Sequence, residues 1–378
     1  MILSSTHGQF DLSTNGQQLI VAPEKKIARI RTSDRIAFKR CRQKWDWSSG
    51  LRQNRQQSEA RMPLWFGSGF HYAMEDYPGY NRYGNPKEAF RQYVEACRKT
   101  PLARLPIGWE ENMKLADAML DYYVSWLDGK NSLRTLWIDG VPQVEVRFEI
   151  EIPLDPEYVK AWGYDEVRYL GTIDRVCIDD KDRIWLMDYK TAKKFSTTHF
   201  DIDPQIGAYM WAGSVLFDRP VEGFVYSQHL KAIPSMPEPL VSGELSCNKS
   251  QITTHQLYRK KLIEIHGSIA NVPQKNKEFL NFLAASEQAE QDAYVRRDYD
   301  YRNEDEVAFE GSMILAEAHD MINPNLPIYV NSTRDCTWDC DFKGVCLMMR
   351  EGAEIKEDLD STTMQRDDLD DNWWKHLA

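Results

Sequence analysis

Two aspartates and one lysine supply the first chemical signal. Asp174, Asp188 and Lys190 lie within residues 169–190, which read YLGTIDRVCIDDKDRIWLMDYK. Two apolar, β-branched runs, 168–178 and 183–190, flank the polar turn Asp179-Asp180-Lys181-Asp182. That pattern predicts a β-hairpin. Strand side chains alternate, so Asp188 and Lys190 share a face, and Asp174 can lie opposite them across the ladder. Two carboxylates and an ammonium at one spot suit phosphodiester hydrolysis. Carboxylate oxygens are hard ligands for Mg²⁺ or Mn²⁺. The metal polarises a phosphate and acidifies a bound water. The lysine can orient that water or neutralise developing charge. An isolated Asp-x-Lys is also an ordinary charged strand end, so the elements around it must decide.

Those elements have clear local signals. Residues 143–152 alternate strictly, with Val144, Val146, Phe148, Ile150 and Ile152 on one face and Gln143, Glu145, Arg147, Glu149 and Glu151 on the other. This predicts a half-buried strand leading into the hairpin. Asp203-Pro204 opens a helix with Gln205 and Tyr209 four residues apart on one face. Residues 221–230 read as a further strand, and about 251–320 as mostly helical. Upstream, Gly67 and Gly69 precede a helix that carries His71 and Glu75 on one face. A lone histidine is more often packed or exposed than a ligand. Asn85-Pro86 is a cap followed by a first-turn proline. The stripe Met113, Ala116, Leu120, Val124 and Leu127 is core on a helix of about 110–127.

The chain has 378 residues, enough for a large core or two domains. No basic start followed by an apolar run opens it, and no run is long enough to span a membrane, so the cytoplasm is the expected compartment. The net charge of −11 argues against a simple nucleic-acid coat protein. Residues 351–371 hold nine acids and two bases, a net of −7, and predict an acidic tail over 351–378. Residues 25–44 hold nine bases and one acid, an electrostatic footprint for a polyanion. A helix capped by Ser33 or Asp34 and running to about Ser48 would present Arg35, Lys39, Arg40, Arg42 and Lys44 to a nucleic-acid backbone, with Trp45 and Trp47 to stack bases. The same helix could instead bury its aromatics and solvate its charges. Residues 1–24 read as a loose arm. There is no G-x-x-x-x-G-K-[ST], so the chain is not itself a phosphate-loop motor.

Seven cysteines in a reducing compartment raise the question of ligation rather than disulfides. Cys336, Cys340 and Cys346 cluster within eleven residues, and Cys41 lies far upstream. A zinc ribbon would gather four cysteines in two local pairs, and three plus one remote partner is a different pattern. Here the chain resembles the RecB-like branch of the PD-(D/E)XK nuclease superfamily, specifically its iron–sulfur nucleases, which include the AddB nuclease domain, the CRISPR adaptation nuclease and phage-encoded exonucleases. The resemblance spans residues 33–346.

The resemblance implies specific roles. His71, in GSGFHYAME, matches the histidine metal ligand. Asp174, in GTID, and Asp188 match the acidic ligands, and Lys190, in DYKT, matches the catalytic lysine. The backbone carbonyl of Tyr189 would help hold Mg²⁺ or Mn²⁺. Gln205 and Tyr209, in QIGAY, match the Q-x-x-x-Y helix that supports the active site and the DNA. Cys41, Cys336, Cys340 and Cys346 match the ligands of a [4Fe–4S] cluster, with C-x3-C-x5-C here where the family usually has C-x2-C-x5-C. The implied fold is a mixed-sheet α/β core, about 142–231, in a helical shell. The segments 33–48 and 334–348 would join at the cluster, making 25–350 one unit. The implied function is metal-dependent DNA hydrolysis, exonucleolytic on single strands or ends, alone or beside a separate helicase or recombination protein. The rival class is a DNA-binding or assembly factor with a structural cluster. An intact Asp/Asp/Lys set argues for the enzyme.

Overall fold

The computed structural model describes residues 25–58, 61–77, 85–99, 105–128, 132–198 and 200–366. The expected N-terminal arm and Trp373-Trp374 lie outside them. The chain opens with β1 (Ile27–Arg31), α1 (Thr32–Arg40), α2 (Arg42–Ser48) and β2 (Arg55–Gln57). Three helices follow: α3 (Met62–Asp76), α4 (Pro86–Lys99) and α5 (Trp109–Leu127). Next come β3 (Arg134–Thr135), the small hairpin of β4 (Trp137–Ile138) and β5 (Val141–Pro142), then β6 (Val144–Glu151) and α6 (Pro156–Ala161). The predicted hairpin is β7 (Glu166–Ile178) and β8 (Ile184–Ala192). It is followed by α7 (Pro204–Phe217), β9 (Val221–Leu230), α8 (His255–His266), α9 (Gln274–Gln288), β10 (Val295–Asp300) and α10 (Glu304–Ile322). The chain continues through α11 (Lys343–Arg350), α12 (Lys356–Thr362) and β11 (Thr363–Gln365). Among the described residues, no helix is long and apolar enough to cross a membrane.

This is a mixed α/β fold around a mixed sheet, and β7 is its axis. Along one edge, β6 runs antiparallel from Glu151↔Arg168 to Val144↔Arg175. The other edge is shared. Parallel β1 occupies it up to Arg31↔Leu170, and antiparallel β8 takes over at Met187↔Arg175. Residues 171–174 lie in the gap between these two partners. Beyond β8, β9 is parallel and β10 antiparallel. Both faces are covered, so β8 is apolar on both sides. Ile184 and Leu186 face a core shared with α1, α7 and α10, while Trp185, Met187 and Tyr189 face a second core with α3, α4 and α5. A β-carbon on Gly69 would meet the Tyr93 and Phe90 rings at 2.7 and 2.8 Å, so α3 can press on α4 only through a glycine.

Three expectations need correction. The sheet core reaches beyond the expected 142–231, because β10 completes its edge on β9, while the stretch over about 251–320 is mostly helical as expected. Within the acidic stretch, β11 pairs with β2. The helix expected over 33–48 is two helices, broken at Cys41, whose backbone is extended. Its cap is also displaced: the N-cap is Arg31, two residues before Ser33, and its N–H donates to the Asp34 carboxylate at 3.0 Å.

That basic segment faces inward. Phe38, Trp45 and Trp47 are buried, with Phe38 edge-on to Trp45 and Trp47 against Phe342. Arg35 is only 1% exposed and bonds Glu317 and Glu310 of α10 at 2.6 and 2.7 Å. Lys39 pairs with Glu317 and Arg40 with Asp339. Arg42 lies over the Phe38 ring, 3.9 Å from Asp320. Arg35 is therefore closed off from a phosphate, while Lys39, Arg40 and Arg42 each have a protein carboxylate as partner. Replacing Arg35 with Ala would leave the half-buried Glu310 without its partner and the buried Glu317 with only Lys39, at a cost of roughly 3 kcal/mol. Urea unfolding should show Arg35→Ala far less stable than Lys44→Ala, which stays within about 0.5 kcal/mol of wild type.

Candidate active site

The gap on β7 is where the functional side chains meet. The β7–β8 ladder ends at Arg175↔Met187, so the next position places Asp174 against Asp188 just as the strands part. Released from the ladder, the Tyr189 N–H donates to Asp174 Oδ2 at 2.9 Å. From one face α3 brings His71 Nδ1 to 3.2 Å from the same oxygen. From the other face α7 brings Gln205, whose Nε2 is 3.4 Å from Asp188 Oδ1. Lys190 Nζ lies 2.9 Å from Asp188 Oδ1 and 2.7 Å from Oδ2.

The α7 contribution is set locally. The Asp203 carboxylate caps the helix by accepting from the Gln205 N–H at 2.8 Å, and the Tyr226 hydroxyl donates to the other Asp203 oxygen at 2.8 Å. Tyr226 is registered on Asp188, so the cap is tied to the strand bearing the site. Tyr209, one turn after Gln205, is buried with its ring edge-on to Phe148. Burial holds its phenol well above the ordinary value. It is a support within the core, not a proton donor at neutral pH.

One site residue escaped the sequence reading. Alternation puts Glu145 on the outer face of β6, yet its φ is +47°. Val144 is registered on Arg175 and Val146 on Ile173, which sets Glu145 opposite Asp174. Ligand atoms of His71, Glu145 and Asp174 all lie within 4.8 Å of one another. A left-handed residue inside a strand breaks the period-two rule. The available sequence signal was an acid at the right offset to face Asp174, and it needs the β6–β7 register to be read. Of the expected ligands, His71 and Asp174 converge, whereas Asp188 is outside this set and engages Lys190 and Gln205. Tyr189 reaches the site through its N–H.

Electrostatics separates the groups further. Burial opposes a charge on His71, but Asp174 beside it outweighs burial and lifts its pKa to about 9. Burial raises Asp174 too, yet His71, Lys190 and the Tyr189 N–H bring it below the usual carboxylate range. Asp188 is pushed up to about 6, by burial first and by repulsion from Asp174, against the pull of Lys190. Burial lowers Lys190, and the two aspartates more than restore it, so its pKa ends above the ordinary value. One imidazole nitrogen and two carboxylates make a donor set for a divalent cation such as Mg²⁺ or Mn²⁺. His71 must lose its proton to join it.

The four cysteines singled out by spacing gather at the break between α1 and α2. The Asn331 N–H donates to Cys41 Sγ and the Thr333 N–H to Cys336 Sγ, each at 3.4 Å. Cys340 and Cys346 pack on the small core of Trp47, Phe342, Val345 and Leu359. Burial raises the Cys346 thiol, and the neighbouring Cys340, Cys41 and Cys336 raise it further. Cys97 and Cys177 are instead buried in the core, and Cys247 lies beside Tyr258.

A mixed sheet that parts at paired acids, with a lysine two residues beyond one of them and a histidine–glutamate–aspartate set beside it, defines a metal-dependent nuclease class. The comparison with known families agrees: residues 33–347 match the PD-(D/E)XK nuclease superfamily, and the chain belongs to it. No curated protein matches. The solved structure of SSO0001 is similar at 13% identity over 84% of this chain and 85% of that one, with a TM-score of 0.32, too distant to argue from.

Metal binding should track the state of His71. With its pKa near 9 in the metal-free protein, a proton competes with the ion below that pH and is absent above it. Mn²⁺ affinity, measured by calorimetry, should therefore rise roughly tenfold per pH unit from 6.5 to 8.5 and then level off. Glu145→Gln should weaken Mn²⁺ roughly 10–100-fold. Glu149→Gln, on the same strand but paired with Arg29 and Arg168, should leave it unchanged.

Proposed function

We propose that this protein is a metal-dependent deoxyribonuclease of the RecB-like, iron–sulfur branch, acting on single-stranded DNA or DNA ends. The observation that carries the reading is the meeting of Asp174, Asp188 and Lys190 at the parting of β7 and β8, beside His71 and Glu145. His71, Glu145 and Asp174 would hold Mg²⁺ or Mn²⁺. When bound, such an ion polarises the scissile phosphate and lowers the pKa of a coordinated water.

The chain's own residues then have distinct tasks. The Tyr189 N–H and His71 fix the Asp174 carboxylate through one of its oxygens. Asp188 and Gln205 hold Lys190 in place. The raised pKa of Lys190 keeps it an ammonium at neutral pH, which suits stabilisation of developing phosphoryl charge and orientation of the attacking water, not removal of its proton. Without a motor motif, the protein would digest ends alone or work beside a separate helicase or recombination protein.

Cys41, Cys336, Cys340 and Cys346 would carry a [4Fe–4S] cluster. Two features support this assignment. Arg40 and Lys44 lie close enough to oppose the burial that raises Cys340, and backbone N–H groups reach two of the sulfurs. Cations and N–H donors around thiolates suit an anionic cluster. They also give the basic segment a reason other than DNA.

End-labelled single- and double-stranded DNA with Mn²⁺ tests the enzyme. Lys190→Ala should lose about a hundredfold or more in rate with the fold intact, as expected for one oriented electrostatic contact. Undiminished cleavage by Asp188→Ala would sink the site. Iron and sulfide content, measured anaerobically for all seven cysteine variants, tests the cluster. Cys41→Ala should lose iron, while Cys97→Ala and Cys177→Ala keep it. Zinc without sulfide in the wild type would overturn the cluster.

A further inference from the structure

We propose that Lys193 and Lys231 form a second binding site, for a phosphate group of the substrate strand beyond the scissile one. The inference rests on the nuclease reading and extends it along the strand.

The two lysines leave the sheet side by side. β8 and β9 are parallel and registered Ala192↔Leu230 at their ends, and each lysine is the next residue. The Lys231 N–H donates to the Ala192 carbonyl at 2.7 Å, which locks the pair together as the strands finish. Lys193 is three residues past Lys190, so it follows the catalytic strand out of the site. Lys231 reaches back across α3, its Nζ 4.9 Å from the centre of the Phe66 ring. Phe66 lies five residues before His71 on the same helix, about 7.5 Å of rise. The pair therefore sits on the rim of the site, on the side where β8 and β9 end.

Their charges are uncompensated. Among the described residues, neither ammonium has a carboxylate within ion-pair distance, whereas Lys39, Lys87, Lys190 and Lys261 each do. Burial against Phe66 and the neighbouring Lys193 charge hold Lys231 below the ordinary lysine value. Two like charges brought together repel, and an anion between them relieves the repulsion. The approach is open: a β-carbon on Gly67, next to Phe66, would meet nothing within 4 Å. A strand whose scissile phosphate sits at Asp174 and Lys190 can run over this rim. The group bound there is a phosphodiester within the strand or a phosphate monoester at its end.

The test compares wild type with the double variant Lys193→Gln/Lys231→Met, which keeps the packing on Phe66. Substrates are single-stranded oligonucleotides with a 5′-phosphate, with a 5′-hydroxyl, and with single methylphosphonates stepped away from the cleaved bond. The variant should raise KM about tenfold with kcat within twofold. In Ca²⁺, its binding should show a salt slope smaller by about 1.4, the share of two single-strand phosphate contacts. A neutral methylphosphonate at one position should erase the difference if the group is internal. A difference confined to the 5′-phosphorylated oligonucleotide assigns the terminal monoester. Equal KM and equal salt slope in variant and wild type overturn the proposal, as does a fall in kcat with KM unchanged. If wild type does not cleave at all, the nuclease reading fails, and the salt slope still judges the lysines. Mn²⁺ affinity and thermal midpoint, unchanged in the variant, exclude misfolding.

Discussion

The site depends on a ladder that stops. β7 and β8 are hydrogen-bonded from Ile178↔Ile184 back to Arg175↔Met187 and no further. β1 occupies the same edge of β7 only up to Leu170. A backbone N–H freed inside a protein must find another acceptor, and the Tyr189 N–H finds the Asp174 carboxylate. The interruption thus lets a backbone N–H of one strand hold the Asp174 carboxylate of the other, with Asp188 next along the parting strand. Had the ladder continued, Asp174 and Asp188 would face each other as like charges in a closed sheet, which is destabilising.

Keeping that parting open requires support from both faces. On one side α3 lies against α4 through Gly69 and presents His71. On the other, α7 is started by Asp203, which Tyr226 and Gln205 fix from two directions. Neither helix could reach the acids if the sheet had one bare face. The two separate apolar cores are therefore part of the site's construction, because each holds one helix at the level of the fork. The acids also separate in character. Asp174, tied to His71, is held ionised, while the more desolvated Asp188 rises to about 6 and leans on Lys190. Environments that push two carboxylates apart distinguish them: Asp174 lies with His71 and Glu145, and Asp188 with Lys190.

The ends of the fold are joined by charge as well as by apolar contact. Arg35, buried on α1, bonds two glutamates of α10, and Arg40 reaches Asp339 in the cysteine segment. Such pairs add little net stability over an apolar core, but each partner becomes costly to remove. They fix α1 against segments nearly three hundred residues later and bring Cys41 to Cys336, Cys340 and Cys346.

Much of this was legible in the sequence because its causes are local. The hairpin around Asp179–Asp182, the Asp203-Pro204 cap, the helix bearing His71 and the strand over 221–230 depend on turn chemistry and periodicity within about ten residues. Asp174 opposite Asp188, with Lys190 beside them, followed from a hairpin register that a short turn sets. Long-range facts were not legible. Glu145 enters the site through a backbone rotation and a register between β6 and β7 that alternation alone cannot supply. The contact of Gln205 on α7 with Asp188 depends on how that helix packs on the sheet. Arg35, Lys39, Arg40 and Arg42 read as a surface because no local rule reveals their partners Glu310, Glu317, Asp320 and Asp339. Sequence by itself determined which residues could do the chemistry. Tertiary structure decided which of them come together, since that depends on where hydrogen-bonded ladders end and on which distant charges are buried together.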